Sequence, residues 1–128
     1  MRFMLIVPAG VETETSELPP ADMVAAMDRY NHELQEAGVL LTADGLHDTS
    51  KGALIRFTEG QPVVVDGPFA EVKEMVAGFW MLRVKSKEEA VAWACKAPFP
   101  PGAHLQLRQV QDIEDWPEEL RSLSTVKL

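Results

Sequence analysis

A two-layer α+β fold, two β-α-β units in series with a hairpin between them, is predicted by three observations. Two stretches place small or apolar residues at helical spacing. Each follows a short strand that is apolar on both faces. Between the two units an alternating segment doubles back through a glycine turn. The chain has 128 residues, 46% hydrophobic and 25% charged, which is the size and composition of one globular domain. Residues 1–112 form that domain, and 113–128 read as a charged tail with one tryptophan, Trp116, placed to pin it.

Taken in order, residues 3–7 (FMLIV) are a first strand, stopped by Pro8-Ala9-Gly10. The apolar run of about five residues is shorter than the roughly 7–15 of a leader peptide. A polar loop follows, residues 11–17. Pro19-Pro20 opens a helix, since the missing proline N–H would be unpaired in a first turn. Met23, Met27, Tyr30, Leu34 and Ala37 make its apolar stripe, and Gly38 stops it. Residues 39–42 are a second strand. Residues 53–58 and 63–65 are the arms of the hairpin, joined through Glu59-Gly60. Val63 to Val65 run into the corner Asp66-Gly67-Pro68-Phe69, where Phe69, Val72 and Val76 have the spacing of a short helical turn.

Residues 79–84 (FWMLRV) form the next strand. Ser86 and Glu89 have the spacing of a capping box. The second helix turns Ala90, Val91, Ala94 and Cys95 inward and ends before Pro98. After the loop PFPPG, Leu105, Leu107 and Gln109 alternate with His104, Gln106 and Arg108 in a last strand. Two right-handed crossovers of this order give a ferredoxin-like sheet with both helices on one face. Phe3, Leu5 and Val7 are apolar, but so are Met4 and Ile6; Trp80 and Leu82 are matched by Phe79 and Met81. Two helices cover one face only. The other needs a second copy, because monomers rarely leave such a patch open. A homodimer is expected.

The formal net charge is −8. That opposes binding to nucleic acid or an anionic membrane, which takes a basic face. No run approaches the roughly 18 apolar residues of a membrane span. The single cysteine, Cys95, excludes an internal disulfide and fits a reducing compartment, so the cytoplasm is expected. His32, His47, His104 and Cys95 lack metal-ligand spacing, and neither a phosphate loop nor a dinucleotide fingerprint is present. No cofactor is expected.

The corner holds the chemistry worth weighing. Asp66 is placed to cap the turn, Gly67 to bend it and Phe69 to anchor it. The charges Glu71, Lys73 and Glu74 have no evident structural task beyond a solvated face. The nine residues DGPFAEVKE, followed by GFW, resemble the signature of the DGPF family, part of the wider YCII-related superfamily. The likeness runs from Met1 to about Val110 through MRFMLIV, YNHELQEAGVLLTADGLHDTSKG, GFWMLRVKSKEEAVAWA and LQLRQV. Valine stands at position 72, where members more often have threonine.

The resemblance implies a ferredoxin-like dimer of the α/β-barrel type, its two sheets packed together. In one branch of the superfamily a cleft histidine and aspartate are proposed to be catalytic. That histidine falls near Met27 here, which cannot move protons, and His32 lies off the apolar stripe. His47, in the loop GLHD, is the alternative partner for Asp66 if the loop folds over it. Arg108 fits a position the family keeps as arginine; it either binds a carboxylate ligand or pairs with Glu71 or Glu74. Relatives are often encoded beside alternative sigma factors. Two readings follow. One is a cofactor-independent acid–base enzyme for a small polar or anionic molecule, with Asp66 and His47 catalytic and Lys73, Arg108, Glu71 and Glu74 binding substrate. The other is a non-catalytic ligand-binding or regulatory module.

Overall fold

In this computed structural model the chain is described at residues 1–10, 19–68 and 74–125, with backbone alone at positions 10 and 74. The described residues form a mixed α/β architecture with two antiparallel sheets and three α-helices. The elements are β1 (Arg2–Gly10), α1 (Ala21–Glu36), β2 (Leu40–Gly45), β3 (Ala53–Arg56), β4 (Val63–Asp66), β5 (Glu74–Arg83), α2 (Lys87–Ala94), β6 (Gln106–Gln109) and α3 (Glu118–Arg121). The large sheet has the order β2-β5-β1-β6, and β3-β4 form a separate two-stranded sheet. Because β5 lies between β1 and β2, the first crossover is a split β-α-β unit, compatible with an α+β fold. Among the described residues no helix is long and apolar enough to cross a membrane.

The two central strands run longer than the sequence suggests. Proline 8 was expected to end β1, yet pairing with β5 continues through Pro8↔Val76, Ala9↔Met75 and Gly10↔Glu74. The register shifts between Val7 and Pro8. Such an irregularity is where a strand tolerates a residue without an N–H. Val76 accordingly belongs to β5, not to a helical turn; Phe69 and Val72 lie outside the described residues.

Local signals in the helices are mostly met. At the end of α1, Gly38 has φ +73°. Its N–H bonds the Gln35 carbonyl and that of Val39 bonds the Leu34 carbonyl, a Schellman ending. At α2 the Ser86 hydroxyl accepts from the Glu89 N–H at 3.1 Å. The Glu89 carboxylate reaches back one residue further than a standard box, to the Lys85 N–H at 3.0 Å.

The core lies on the helix side of the sheet. Phe3 and Leu5 of β1, Trp80 and Leu82 of β5, Tyr30 and Leu34 of α1, and Ala90 of α2 are buried in one cluster. The Trp80 ring stands edge-on to Tyr30 (centroids 5.4 Å) and to Phe99 (6.3 Å). Its indole N–H donates to Asn31 Oδ1 at 2.7 Å, and the Tyr30 hydroxyl donates to the Trp93 carbonyl at 2.8 Å. One aromatic side chain thus locks α1, while its neighbour ties α1 to α2, with each buried polar tip partnered.

The opposite face is read directly from the register. Thr42, Met81, Met4 and Arg108 form one row across the four strands, and Asp44, Phe79, Ile6 and Gln106 form the next. Each row is apolar in its two central strands and polar at its edges. The four apolar side chains are half-buried within the single chain. Past β6, the Arg2 guanidinium grips the Asp112 carboxylate at 2.6 and 2.8 Å. This ion pair, rather than Trp116, fixes the start of the tail; Trp116 is itself partly exposed.

Burial, with smaller contributions from Glu33 and Cys95, pushes the Tyr30 hydroxyl up to about 12 from its ordinary value near 10. A raised folded-state value favours the neutral phenol in the fold. Its stabilising contribution is therefore complete below pH 10 and is lost as pH rises toward 12. Tyr30→Phe is expected to cost about 0.5–1.5 kcal/mol at pH 7, because the Trp93 carbonyl loses its donor. The gap between wild type and variant in urea denaturation should shrink between pH 10 and 12; a gap constant over that window would contradict the assignment.

Candidate functional site

The corner after β4 is joined to the preceding turn through backbone contacts of Gly67. Asp48 starts a 3-10 turn, Thr49–Lys51, by accepting from the Ser50 N–H at 3.1 Å and from the Ser50 hydroxyl. The Gly52 N–H closes the turn on the Thr49 carbonyl at 3.0 Å. The Gly67 N–H then bonds the Gly52 carbonyl at 3.0 Å, and a Cβ at Gly67 would collide with the Thr49 carbonyl oxygen. Glycine is required here by that close approach. Its φ does not lie in the left-handed region, in contrast to Gly38 and Gly102, so the bend anticipated from its dihedral freedom has a different cause. The Gly67–Pro68 peptide is cis.

A second glycine seats this unit against the large sheet. Gly78 of β5 faces Gly45 of β2, and a Cβ there would come within 2.9 Å of the Asp44 carbonyl oxygen. The next residue, Leu46, bonds the Ala77 carbonyl through its N–H at 2.8 Å. The loop of His47 therefore leaves from the β2 edge and is clamped to the chain at Asp66-Gly67.

His47 and Asp66 are consequently held at one corner, two residues and one residue from the Gly67–Thr49 contact. Both side chains are exposed. Among the described residues no hydrogen bond or ion pair joins them. Glu71 and Lys73 lie outside the described residues, and Glu74 opens β5 opposite Gly10. Arg108 is on β6, beside Met4 on the face away from the helices. Three strand spacings, about 14 Å, separate its edge from the β2 edge that carries the corner. A single chain does not bring Arg108 to His47. The helix histidine, His32, is exposed and sits 3.5 Å from Asp28 one turn earlier. Among the described residues there is no cluster of His, Cys, Asp and Glu suited to a metal ion.

A groove that the sequence did not suggest lies between α2 and β6. It encloses about 430 Å³ and is lined by Val91, Ala94, Cys95, Phe99, His104 and Leu107, among others. The second helix was expected to bury Val91 and Cys95, but both are exposed. The helix ends at Ala94, and the loop that follows does not close over them. His104 was expected to share a face with Gln106 and Arg108. Strand β6 begins only at Gln106, and His104 lines the groove instead. The alanines at 94, 97 and 103, too small to fill the space, are the sequence trace of it.

The YCII-related domain matches residues 1–114. The chain belongs to the YCII-related family. It is also 36% identical over 81 residues to an uncharacterized protein of Rhizobium meliloti (strain 1021), a match covering 63% of this chain. That match spans 62% of the relative's own length, under two thirds of it.

The backbone clamp makes a direct prediction. Gly67→Ala must displace either the 3-10 turn or β4, at a cost of about 1–3 kcal/mol, typical of overpacking. Urea denaturation measures it, and amide shifts should change over residues 47–52. A wild-type midpoint with unchanged amides would show that the corner has room.

Proposed function

We propose that this member of the YCII-related family is of the DGPF type, a ferredoxin-like dimer of the α/β-barrel form, and that its Asp66–His47 corner binds a small polar or anionic molecule and moves a proton on it without a cofactor. The observation that carries this reading is the Gly67–Thr49 contact. It brings the backbone segments that carry His47 and Asp66 to one corner, with both side chains exposed. A neutral imidazole titrating near neutrality is the usual general base. A carboxylate beside it orients the ring or takes the proton in return. Elimination and isomerisation need no more than such a pair.

Lys73, Glu71 and Glu74 follow Asp66 within eight residues and are the groups proposed to hold the polar ends of the substrate. Arg108 joins them only across a dimer. If two copies pack sheet to sheet with a two-fold axis along the strands, β6 of one copy lies over β2 of the other. The half-buried strip of Met4, Ile6, Phe79 and Met81 supports that packing, since it is apolar, central and flanked by polar residues on both edge strands. The single cysteine is in keeping with a cytoplasmic protein.

Binding without turnover, as in a module serving a sigma-factor regulator, is the second reading. The exposure of His47 and Asp66, with no bond between them, favours it, because a binder needs less preorganisation than a catalyst. A panel of small carboxylates, followed by thermal shift and by NMR for turnover, separates the two. For an enzyme, Asp66→Asn and His47→Gln keep the wild-type melting temperature and lose about 10²–10⁴ in rate. A pure binder shows the thermal shift, no turnover, and weakened binding in both variants. A flat response across the panel contradicts both readings.

A further inference from the structure

Two apolar surfaces face solvent on either side of β6, and neither covers the other. The first is the groove between α2 and β6, where Val91 and Cys95 stand open. The second is the tail. Its side chains Ile113, Trp116, Leu120 and Leu123 are all exposed, Leu123 at 75%. The tail is nonetheless a built element. The Asp112 N–H bonds the Asp115 carboxylate at 2.9 Å, and the Arg121 guanidinium donates to the Trp116 and Glu114 carbonyls at 2.9 and 2.8 Å. A segment held by polar bonds that leaves its apolar side chains open is suited to docking. Trp116, Leu120 and Leu123 also lie beyond the residues 1–114 that the YCII-related domain matches.

The charges of the two surfaces are complementary. Apart from Leu5, the groove lining comes from residues 91–107. That segment carries Lys96 and His104 and no Asp or Glu. Residues 112–120 are the reverse: Asp112, Glu114, Asp115, Glu118 and Glu119 stand there with no Lys or Arg. The chain's own tail starts at the wrong end for its own groove. In β6, Gln106 pairs with Ile6 and Gln109 with Phe3, and the Val110 N–H bonds the Arg2 carbonyl at 2.9 Å. The tail therefore leaves at the Arg2 end of the sheet. The groove lies toward the other end, with Ala103 and His104 just before β6 and Cys95 just after α2.

We propose that the acidic tail, residues 113–123, of one copy docks in the α2–β6 groove of a second copy, and that the exchange is reciprocal. The apolar side chains of the tail cover the open groove, and its carboxylates meet Lys96 and His104 of the partner subunit. Each copy supplies one tail and one groove, so the contact closes with two-fold symmetry. It uses neither the sheet face nor the His47–Asp66 corner, and its failure leaves both of those readings untouched.

The native cysteine already lies in the groove, which makes the test direct. Wild-type chains are co-expressed with Cys95→Ser chains that carry Leu120→Cys or Leu123→Cys in the tail, and the purified protein is oxidised mildly. A disulfide between the two chains, located at 95–120 or 95–123 by peptide mass spectrometry, is expected. Glu118→Lys with Glu119→Lys in the tail chain should lower its yield several-fold. A cysteine moved to the exposed hairpin instead, Val64→Cys, should give no link to Cys95. The proposal is overturned by no link from either tail position, by an equal link from Val64→Cys, or by a yield indifferent to the charge reversal. A Leu120→Cys chain with Cys95 intact should likewise link between chains. An internal disulfide in its place would put the chain's own tail in the groove and would also overturn the proposal.

Discussion

The antiparallel pairing of β1 with β5 is the constraint on which the rest of this structure depends. Nine residues of β1 are matched to β5, and both strands are apolar on both sides. One set of side chains, Phe3, Leu5, Trp80 and Leu82, builds the core with α1 and α2. The same register necessarily aligns the other set, Met4, Ile6, Phe79 and Met81, on the far face. Burial of one face and the apolar character of the other are therefore one fact: a strand alternates every residue, so a core cannot be written into these strands without fixing what lies behind it. The bulge at Val7 lets the pairing outlast a proline and carries β5 on to the region of the Asp66 corner.

That corner inherits its position from the sheet. Gly78 lets β5 approach the Asp44 carbonyl of β2 closely, Leu46 continues the bonding, and the turn at Thr49–Lys51 then meets Gly67 backbone to backbone. The side chains of His47 and Asp66 take no part in this joinery. They ride on it, exposed to solvent at the end of β4 and in the loop after β2. Arg108 stands at the other edge, and its distance within one chain is the physical reason the proposed chemistry is tied to a dimer.

Much of this was legible in the residues. The stripe of Tyr30 and Leu34, the glycine at 38, the serine cap at 86 and the two-sided strands all have local causes that a sequence displays. The misreadings have tertiary causes. Pro8 looks like a stop until its strand is seen to shift register there. Gly67 looks like a dihedral requirement until the Thr49 carbonyl is found beside it. Cys95 and Val91 lie on the apolar side of their helix, but the groove against β6 remains open, and no spacing along the chain reports how far a following loop folds back. His104 was misplaced for a similar reason: alternation predicts the faces of a strand but not where the strand begins. For the site, the sequence could name His47 and Asp66 as candidates, while the backbone contacts of Gly67 with Gly52 and Thr49 depend on a turn that packs across fifteen residues of hairpin.

The central claim is that the face carrying Met4, Ile6, Phe79 and Met81 is covered by the same face of a second molecule. Light scattering of the full chain at micromolar concentration, compared with Ile6→Lys, tests it most directly. The account predicts a mass of at least twice 14.2 kDa for the wild type and a reduced mass for the variant, with its far-ultraviolet spectrum unchanged. A wild-type chain that runs as a monomer, or an Ile6→Lys chain that keeps the full assembled mass, would contradict it.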